Sequence, residues 1–437
     1  MRNNRFLGSI VKTSSLIGVS RVSGFLRELV FSYFIGTSFI MDAFVIAYMV
    51  PNFFRRILGE KAAESVFIPL FIRQKEISGE KASEFVSNVF TVIGILLILL
   101  VLVFYPLAAP FIRIVAPGFN PETFAVSLKI TYLILPYMFF IGIYAFLGAL
   151  LEAHNKFSLY NFSPFVYNTV LIVTIVFLYN RISFYAIALG IIIGVIMQTL
   201  ILFLQIRNLP VQFRFSAGFK NPALRRMGKL LIPISAGSGI EKLSIYVDRL
   251  MASLLPIGSI SALYFAFRLI DLPFAVFSIA IGKVIHPKIS SRYIYTSRKR
   301  FYSYIVKGIL LNMIILIPAS IIFAMFAKFI ITVVFMRGSF DMNSVMMTHK
   351  PLLYYTIGLF PMGIVTLLSR GFYALLDTRT PLKIAFFAAI INILANIILM
   401  PRMGAGGLAL GTSISLWFNA VYLFISLRRK IGGISED

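Results

Sequence analysis

Six stretches of this chain run for about 20 residues or more without a single charged side chain. A helix of that length crosses the roughly 30 Å hydrocarbon core of a bilayer and satisfies its backbone hydrogen bonds internally. The sequence therefore predicts an all-α, polytopic membrane protein. The six stretches are residues 88–112, 130–151, 157–179, 182–206, 308–327 and 403–427.

Shorter or charge-interrupted apolar segments fill the intervals and raise the predicted number of transmembrane helices to twelve. Hydrophobic residues make up 59% of the 437 positions and charged residues only 13%, as a chain in lipid requires. No small-residue cleavage site follows a short apolar core near the N-terminus, so we expect no cleaved signal peptide. The additional segments are residues 7–36, 37–57, 226–255, 259–287, 350–377 and 383–401.

The net charge of +25 is distributed as a membrane topology requires, and it does not indicate nucleic-acid binding. With twelve spans and a cytoplasmic N-terminus, most loop lysines and arginines face inward. This asymmetry follows the positive-inside rule and places both termini in the cytoplasm. Topology and contact with anionic lipids account for most of these basic residues. The outward turns hold little beyond Arg113, Arg181, Arg337 and Arg402.

The sequence offers no catalytic or metal-binding constellation. The chain has no cysteine, which excludes disulfides and thiolate chemistry. His154, His286 and His349 are scattered between spans and lack metal-ligand spacing. We therefore expect no metal, no cofactor and no enzymatic activity.

The two halves of the sequence resemble each other at long range. When the second half is aligned on the first, Arg27 falls on Arg249, and at a nearly equal offset residues 149–152 fall on 374–377. Spans one and seven enter the membrane from the same side, so the repeat is parallel. Such halves usually flank a central cavity that opens alternately to either side. The predicted parts are a six-helix lobe at 1–206, a basic cytoplasmic linker at 207–229 and a second six-helix lobe at 230–437.

Several arginines lie within or at the ends of apolar spans, where a charge costs roughly 2.5–3.5 kcal/mol and usually serves function. Arg27 lies midway along the first span, and Arg268 lies within the eighth. Arg55 and Arg56 sit at the inner end of the second. A guanidinium group stays protonated and offers a planar fork of donors to phosphate oxygens. These residues predict a cationic cavity and an anionic, phosphate-bearing cargo.

Intramembrane ion pairs that fix helix packing are the alternative explanation for these charges. The acids available to the arginines are Glu28, Asp42 and Glu60. Arg249 and Lys242 share a span with Glu241 and Asp248. For these two basic residues we expect pairing with the acids of the span, which would neutralise their charge.

The signature segments of the chain resemble the MurJ/MviN family of lipid II flippases, in family order. The N-terminal block is the most specific of them. Its matching positions are residues 20–28 (SRVSGFLRE), Gly36, 42–44 (DAF), 51–56 (PNFFRR) and Glu60. The later segments are 116–119 (APGF), 337–340 (RGSF), 371–374 (GFYA), 377–381 (DTRTP) and 404–408 (GAGGL).

This resemblance implies the architecture of the multidrug/oligosaccharidyl-lipid/polysaccharide exporter superfamily, and it implies lipid II as cargo, moved from the inner to the outer leaflet. Arg27, Arg55 and Arg268 match family arginines that engage the diphosphate and head group. Glu28 stands where the family more often has aspartate. The other matching polar positions are Arg21, Asp42 and Arg56.

One departure concerns the lipid tail. Family members commonly add two helices after the twelfth span, whereas only ten residues follow Leu427 here. We therefore expect no built-in groove for the tail, and another polyprenyl diphosphate cargo remains open. The rival classes are a cation-coupled drug exporter, which should favour carboxylates in its cavity, and an enzyme acting on polyprenyl phosphates. We expect a monomer, and the sequence does not identify a coupling ion.

Overall fold

The computed structural model describes residues 2–54, 66–211, 216, 221–290 and 298–432, and these residues hold helices and no β-strand. The all-α prediction is confirmed. In chain order the helices are α1 (Arg2–Phe34), α2 (Phe39–Ala47), α3 (Met49–Phe54), α4 (Ile68–Ile77), α5 (Gly79–Val115), α6 (Pro121–Ile134), α7 (Tyr137–Ala153), α8 (Phe157–Ile182), α9 (Phe184–Ile206), α10 (Pro222–Ser253), α11 (Ser259–Pro273), α12 (Ile279–Ile289), α13 (Arg298–Met325), α14 (Ala327–Phe335), α15 (Met342–Ala374), α16 (Arg379–Met403) and α17 (Ala405–Gly432).

Eight helical segments of the described chain are long and apolar enough to cross a membrane, or nine if the bent pair α6 and α7 is one span. The remaining predicted spans fall on α1, on α2 with α3, and on α10. Charged side chains such as Arg27 and Asp248 lower the hydropathy of these segments. The count of twelve stays a prediction.

Large apolar side chains cover the outside of these helices. Leu102 is 61% exposed on α5, Phe177 is 70% exposed on α8 and Met325 is 72% exposed on α13. A soluble monomer rarely exposes so much contiguous apolar surface. Lipid tails solvate such side chains without cost, so these faces fit a membrane environment.

The chain forms two compact units. The first comprises Met1–Ile35, Ala43–Ile114 and Asn120–Ser238, and the second comprises Gly36–Asp42, Val115–Phe119 and Gly239–Asp437. The boundary falls within α10, and the predicted six-helix lobes and linker stay a proposal.

In the first unit α8 packs against α1 and α9, and α7 packs against α9. Aromatic side chains from α5, α7 and the start of α4 form part of this core. Phe67 contacts Phe146 edge to face and stacks on Phe85, with ring centroids 5.0 and 5.8 Å apart. Pro136 lies at the break between α6 and α7, where the axis bends by 43°.

In the second unit α15 packs against α11, α13 and α17, and α16 packs against α17. The α15–α17 contact is close because Gly358 carries no side chain, which lets Ser413 donate a hydrogen bond to the Tyr354 carbonyl at 2.7 Å. A π-helical turn at Phe274–Ser278 joins α11 to α12 directly after Pro273. Pro361 lies inside α15 without ending it.

Candidate functional site

Arg27 lies within α1 in the first unit, and its guanidinium group donates to side chains of α1 and α8. Nη1 donates to Oδ1 of Asn168 on α8 at 3.0 Å, and Nη2 donates to Oε1 of Glu28 at 2.6 Å. The Arg27 side chain is 20% exposed, whereas Glu28 is only 4% exposed. Arg27 therefore forms an ion pair with Glu28 on the same helix. A partner on the same helix lowers the cost of the charge at membrane depth.

Asn168 belongs to a row of hydrogen bonds between α1 and α8. Its amide nitrogen donates to Oγ of Ser23 at 3.0 Å and to the Ser20 carbonyl at 3.4 Å. Two turns earlier on α8, the carbonyl of Asn161 accepts from the Ser20 hydroxyl at 2.7 Å. Residues 20, 23 and 27 have helical spacing, so α1 presents one polar face to α8.

The other arginines predicted near Arg27 receive less structural support. Arg21 is exposed on α1. Arg55 and Arg56 lie outside the described residues, as does Glu60. Their assignment as cargo contacts stays a prediction from the sequence.

Arg268 lies on α11 in the second unit beside an aromatic side chain. Its guanidinium carbon lies 4.8 Å from the centre of the Tyr264 ring, and Nη2 donates to the Tyr264 hydroxyl at 3.2 Å. The two residues are one helical turn apart, so local geometry forms this cation–π pair. The side chain remains partly exposed.

Asp42 on α2 completes the start of α11 within the second unit. It is 4% exposed, and it accepts the backbone N–H of Gly258 at 2.6 Å and that of Ser261 at 2.7 Å. The Ser261 hydroxyl also donates to it. Gly258 precedes α11 with a φ of 92° and has no side chain to cap the helix, so the carboxylate supplies the cap and meets the positive end of the helix dipole. This geometry favours a structural role for Asp42 over cargo contact.

Asp248 on α10 is the centre of a second polar cluster, in the second unit. Its Oδ1 accepts the amide of Asn396 at 2.5 Å, and Oδ2 accepts the Thr412 hydroxyl at 3.2 Å. Asn392 also donates to Oδ1 at 3.1 Å in the amide orientation that satisfies both of its polar atoms. Arg249 acts on Asp248 through its charge but donates to the Ile260 carbonyl at 3.1 Å. Neutral donors therefore stabilise this carboxylate alongside the neighbouring cation.

Sequence reasoning missed the amides of both clusters. Asn168, Asn392 and Asn396 are almost fully buried inside apolar spans. Their only signal in the sequence is a hydrogen-bonding side chain within a stretch that has few charges or none. Across the described residues, no three His, Asp or Glu side chains are grouped as metal ligands.

Comparison with known proteins places this arrangement in a family. The family model described as "Lipid II flippase MurJ" matches residues 31–437. A protein of Buchnera aphidicola subsp. Baizongia pistaciae, named "Probable lipid II flippase MurJ", is 30% identical over 430 residues, which cover 97% of this chain and 83% of that protein. The "Lipid II flippase MurJ" of Burkholderia cenocepacia is 27% identical over 431 residues, covering 97% of this chain and 84% of its own length.

Solved structures agree with these relatives. One described as "Lipid II flippase MurJ, inward closed conformation" superimposes with a TM-score of 0.85 at 28% identity, covering 96% of this chain and 87% of its own. An inward-facing multidrug transporter of the MATE family superimposes with a TM-score of 0.81 at 14% identity, covering 97% of this chain and 98% of its own. At that identity the second likeness concerns the fold alone.

Proposed function

This chain belongs to the family of the lipid II flippase MurJ, and from that membership we propose that it moves lipid II from the inner to the outer leaflet of the bacterial cytoplasmic membrane. The cargo is a polyprenyl diphosphate that bears the disaccharide-pentapeptide unit of peptidoglycan. No covalent bond changes in this step, so the proposed activity is transport and not catalysis.

The environment of Arg27 is the observation that carries this proposal. A guanidinium within an apolar helix, braced by Glu28 and Asn168 and still 20% exposed, is an anion site kept at membrane depth. The diphosphate is the part of lipid II that cannot enter hydrocarbon unaided. An arginine fork matches phosphate oxygens in geometry and in charge.

We assign the diphosphate and head group to Arg27 and Arg268, and from the sequence to Arg55 and Arg56. Glu28 holds Arg27 and does not touch the phosphate. Tyr264 holds Arg268 in the same way through its ring and hydroxyl. Arg21 on the exposed face of α1 makes a further contact with anionic groups, whereas Asp42 acts on α11.

Transport by alternating access completes the proposal. Both termini lie in the cytoplasm, the chain works as a monomer, and the polar head crosses while the polyprenyl tail stays in lipid. The tail is already solvated by the bilayer, so transferring it into protein would gain little free energy. The head group therefore sets the rate.

A reconstituted flipping assay tests the function. Proteoliposomes receive fluorescent lipid II, an analogue whose diphosphate is replaced by a neutral linker, and a lipophilic cation as a drug-exporter substrate. We expect flipping of lipid II, little or none of the neutral analogue, and no cation export. Equal rates for the neutral analogue, or cation export without lipid flipping, would overturn the proposal. Depletion in the source bacterium should cause lipid II accumulation and lysis.

A further inference from the structure

The contact between Arg27 and Asn168 has only one chemically possible direction. The guanidinium group has no acceptor, so Asn168 must present its amide oxygen to Arg27. The carbonyl of Ser20 has no donor, so the amide nitrogen must face that carbonyl. Both requirements are met at once, with distances of 3.0 and 3.4 Å. The orientation of the Asn168 amide therefore follows from its partners.

A second hydrogen bond locks this orientation. Oγ of Ser23 donates to the Ser20 carbonyl at 2.8 Å, which leaves it to accept the Asn168 amide nitrogen at 3.0 Å. Ser23 is 3% exposed and Asn168 is 5% exposed, so water does not compete strongly with these bonds. A hydrogen-bonded network in a poorly hydrated environment holds its members in place more firmly than the same bonds in water.

We propose that Asn168 is a positioning residue for cargo binding, because it fixes the direction in which Arg27 presents its guanidinium group to the diphosphate. This inference rests on the proposed function. Glu28 compensates the charge of Arg27 and holds Nη2 from the same helix, and Asn168 holds Nη1 from α8, so the rotation of the guanidinium plane depends on the Asn168 contact as well. Arginine binds phosphate through a planar fork, so a rotated plane loses one of its two contacts. Asn168 thereby acts on affinity for the head group without touching it.

The lipid II dissociation constant of purified protein separates positioning from packing. Replacing Asn168 with alanine should raise that constant about tenfold, as the loss of one charge-assisted contact predicts. Asn168→Asp has nearly the same shape but places a carboxylate beside Arg27, so it should also weaken binding about tenfold or more. A residue that only packs α1 against α8 would lose thermal stability in this variant, because the carboxylate faces the Ser20 carbonyl, but the folded variant would bind lipid II with the wild-type dissociation constant. Thr169→Ala is the control, since Thr169 is exposed and donates only within α8.

A double-mutant cycle gives the decisive readout. If Asn168 acts through Arg27, then Arg27→Ala together with Asn168→Ala should bind lipid II no more weakly than Arg27→Ala alone, within about twofold. If the increases in dissociation constant of the two single variants multiply in the double variant, positioning is refuted. A wild-type dissociation constant for Asn168→Asp would also refute it. Thermal unfolding of each purified variant sets the temperature of the binding assay below every unfolding transition, so that only folded proteins are compared. A wild-type protein that does not bind or flip lipid II would contradict the proposed function itself.

Discussion

The two units use corresponding pairs of helices to hold opposite charges. In the first unit α1 and α8 hold the cation of Arg27 with the amide oxygen of Asn168. In the second unit α10 and α16 hold the anion of Asp248 with the amide nitrogen of Asn396. Asp248 directly precedes Arg249, the residue that aligns with Arg27. Asparagine serves both sites because its amide offers an acceptor on one side and a donor on the other.

Backbone features repeat at nearly the offset that relates Arg27 to Arg249. Asn120 caps α6 through Thr123, and Asp341, at the corresponding place in the second half, caps α15 through the backbone N–H of Ser344. The residue before α9, at position 183, has φ 51° and ψ −134°, and the residue before α17, at position 404, has φ 57° and ψ −135°. One backbone plan therefore underlies both units, while the polarity of each cluster depends on a few side chains. Only the first cluster suits an anionic cargo.

The largest effect should come from removing the cation of the first cluster. We expect Arg27→Ala to reduce lipid II flipping about a hundredfold or more, since two charge-assisted contacts to phosphate are lost. Arg27→Lys should recover only part of the rate because a point charge cannot reproduce the fork. Arg113→Ala is the matched control, because Arg113 is an exposed arginine of the same unit. Wild-type flipping by Arg27→Ala, or equal loss from Arg113→Ala, would contradict the cargo role.

Neutralising Asp248 should lower stability but leave head-group binding unchanged. Asp248→Asn turns the shared acceptor into an amide, so Asn396 and Thr412 lose a charged partner. We expect a loss of about 2 kcal/mol in the free energy of unfolding. Thermal unfolding in detergent and a lipid II binding assay measure the two effects separately. Loss of lipid II affinity equal to that of Arg27→Ala would show that the two clusters share one function, and the comparison would fail.

The sequence predicted the helices well because their signal is collective. Each long apolar stretch depends on about 20 positions, so no single residue decides it. The family and its cargo followed from ordered motifs along the chain, and the family model, which matches residues 31–437, bears out the family. Arg27 was found because a charge in an apolar span is rare. These features can be recognised without knowing which helices touch.

The partners of these charges could not be predicted, since they depend on three-dimensional contacts. Asn168 is 141 residues from Arg27, and Asn396 is 148 residues from Asp248. Asp42 looked like a cargo or ion-pair residue, yet its carboxylate completes a helix that starts far along the chain, at Ser259. An acid beside backbone N–H groups leaves no periodic pattern in the sequence. The structure was needed to distinguish a cap from a binding residue.

The backbone conformation shared by the two units can be tested at positions 183 and 404, which have the same conformation but different residue types, serine and glycine. Gly404→Ala should destabilise the protein by about 1–2 kcal/mol, because an alanine rarely adopts this left-handed conformation. No atom lies within 4 Å of the added Cβ, so backbone strain alone is measured. Ser183→Gly relieves the same strain and should stabilise by about 0.5 kcal/mol after the entropy cost of glycine. Thermal unfolding of both variants measures the two changes in stability. Changes of the same sign would refute the equivalence of positions 183 and 404.

The last comparison concerns the turns that precede α8 and α16. In the first unit His154 contacts the Leu150 carbonyl through Nδ1 at 2.9 Å, whereas in the second unit Asp377 pairs with Lys430 of α17 at 2.5 Å. Burial alone would raise the pKa of Asp377, but hydrogen bonds from Lys430 and Thr380 lower it to about 2 from 3.8. Because the folded pKa is the lower one, the pair stabilises the protein fully above pH 3.8 and loses that contribution as the pH falls towards 2.

Asp377→Asn should therefore cost about 1 kcal/mol at neutral pH, a modest value because Lys430 is partly exposed and salt screens the pair. The difference between wild type and variant should shrink as the pH falls through this window, and it should also shrink with added salt. Thermal unfolding of both proteins at several pH values and two salt concentrations measures it. Lys430→Ala is the matched control, since it removes the same pair from the other side. A difference that persists at pH 2 would contradict the charge explanation. The hydrogen bonds that Asp377 accepts from the backbone N–H groups of Arg379 and Thr380 would then distinguish this turn from the one before α8.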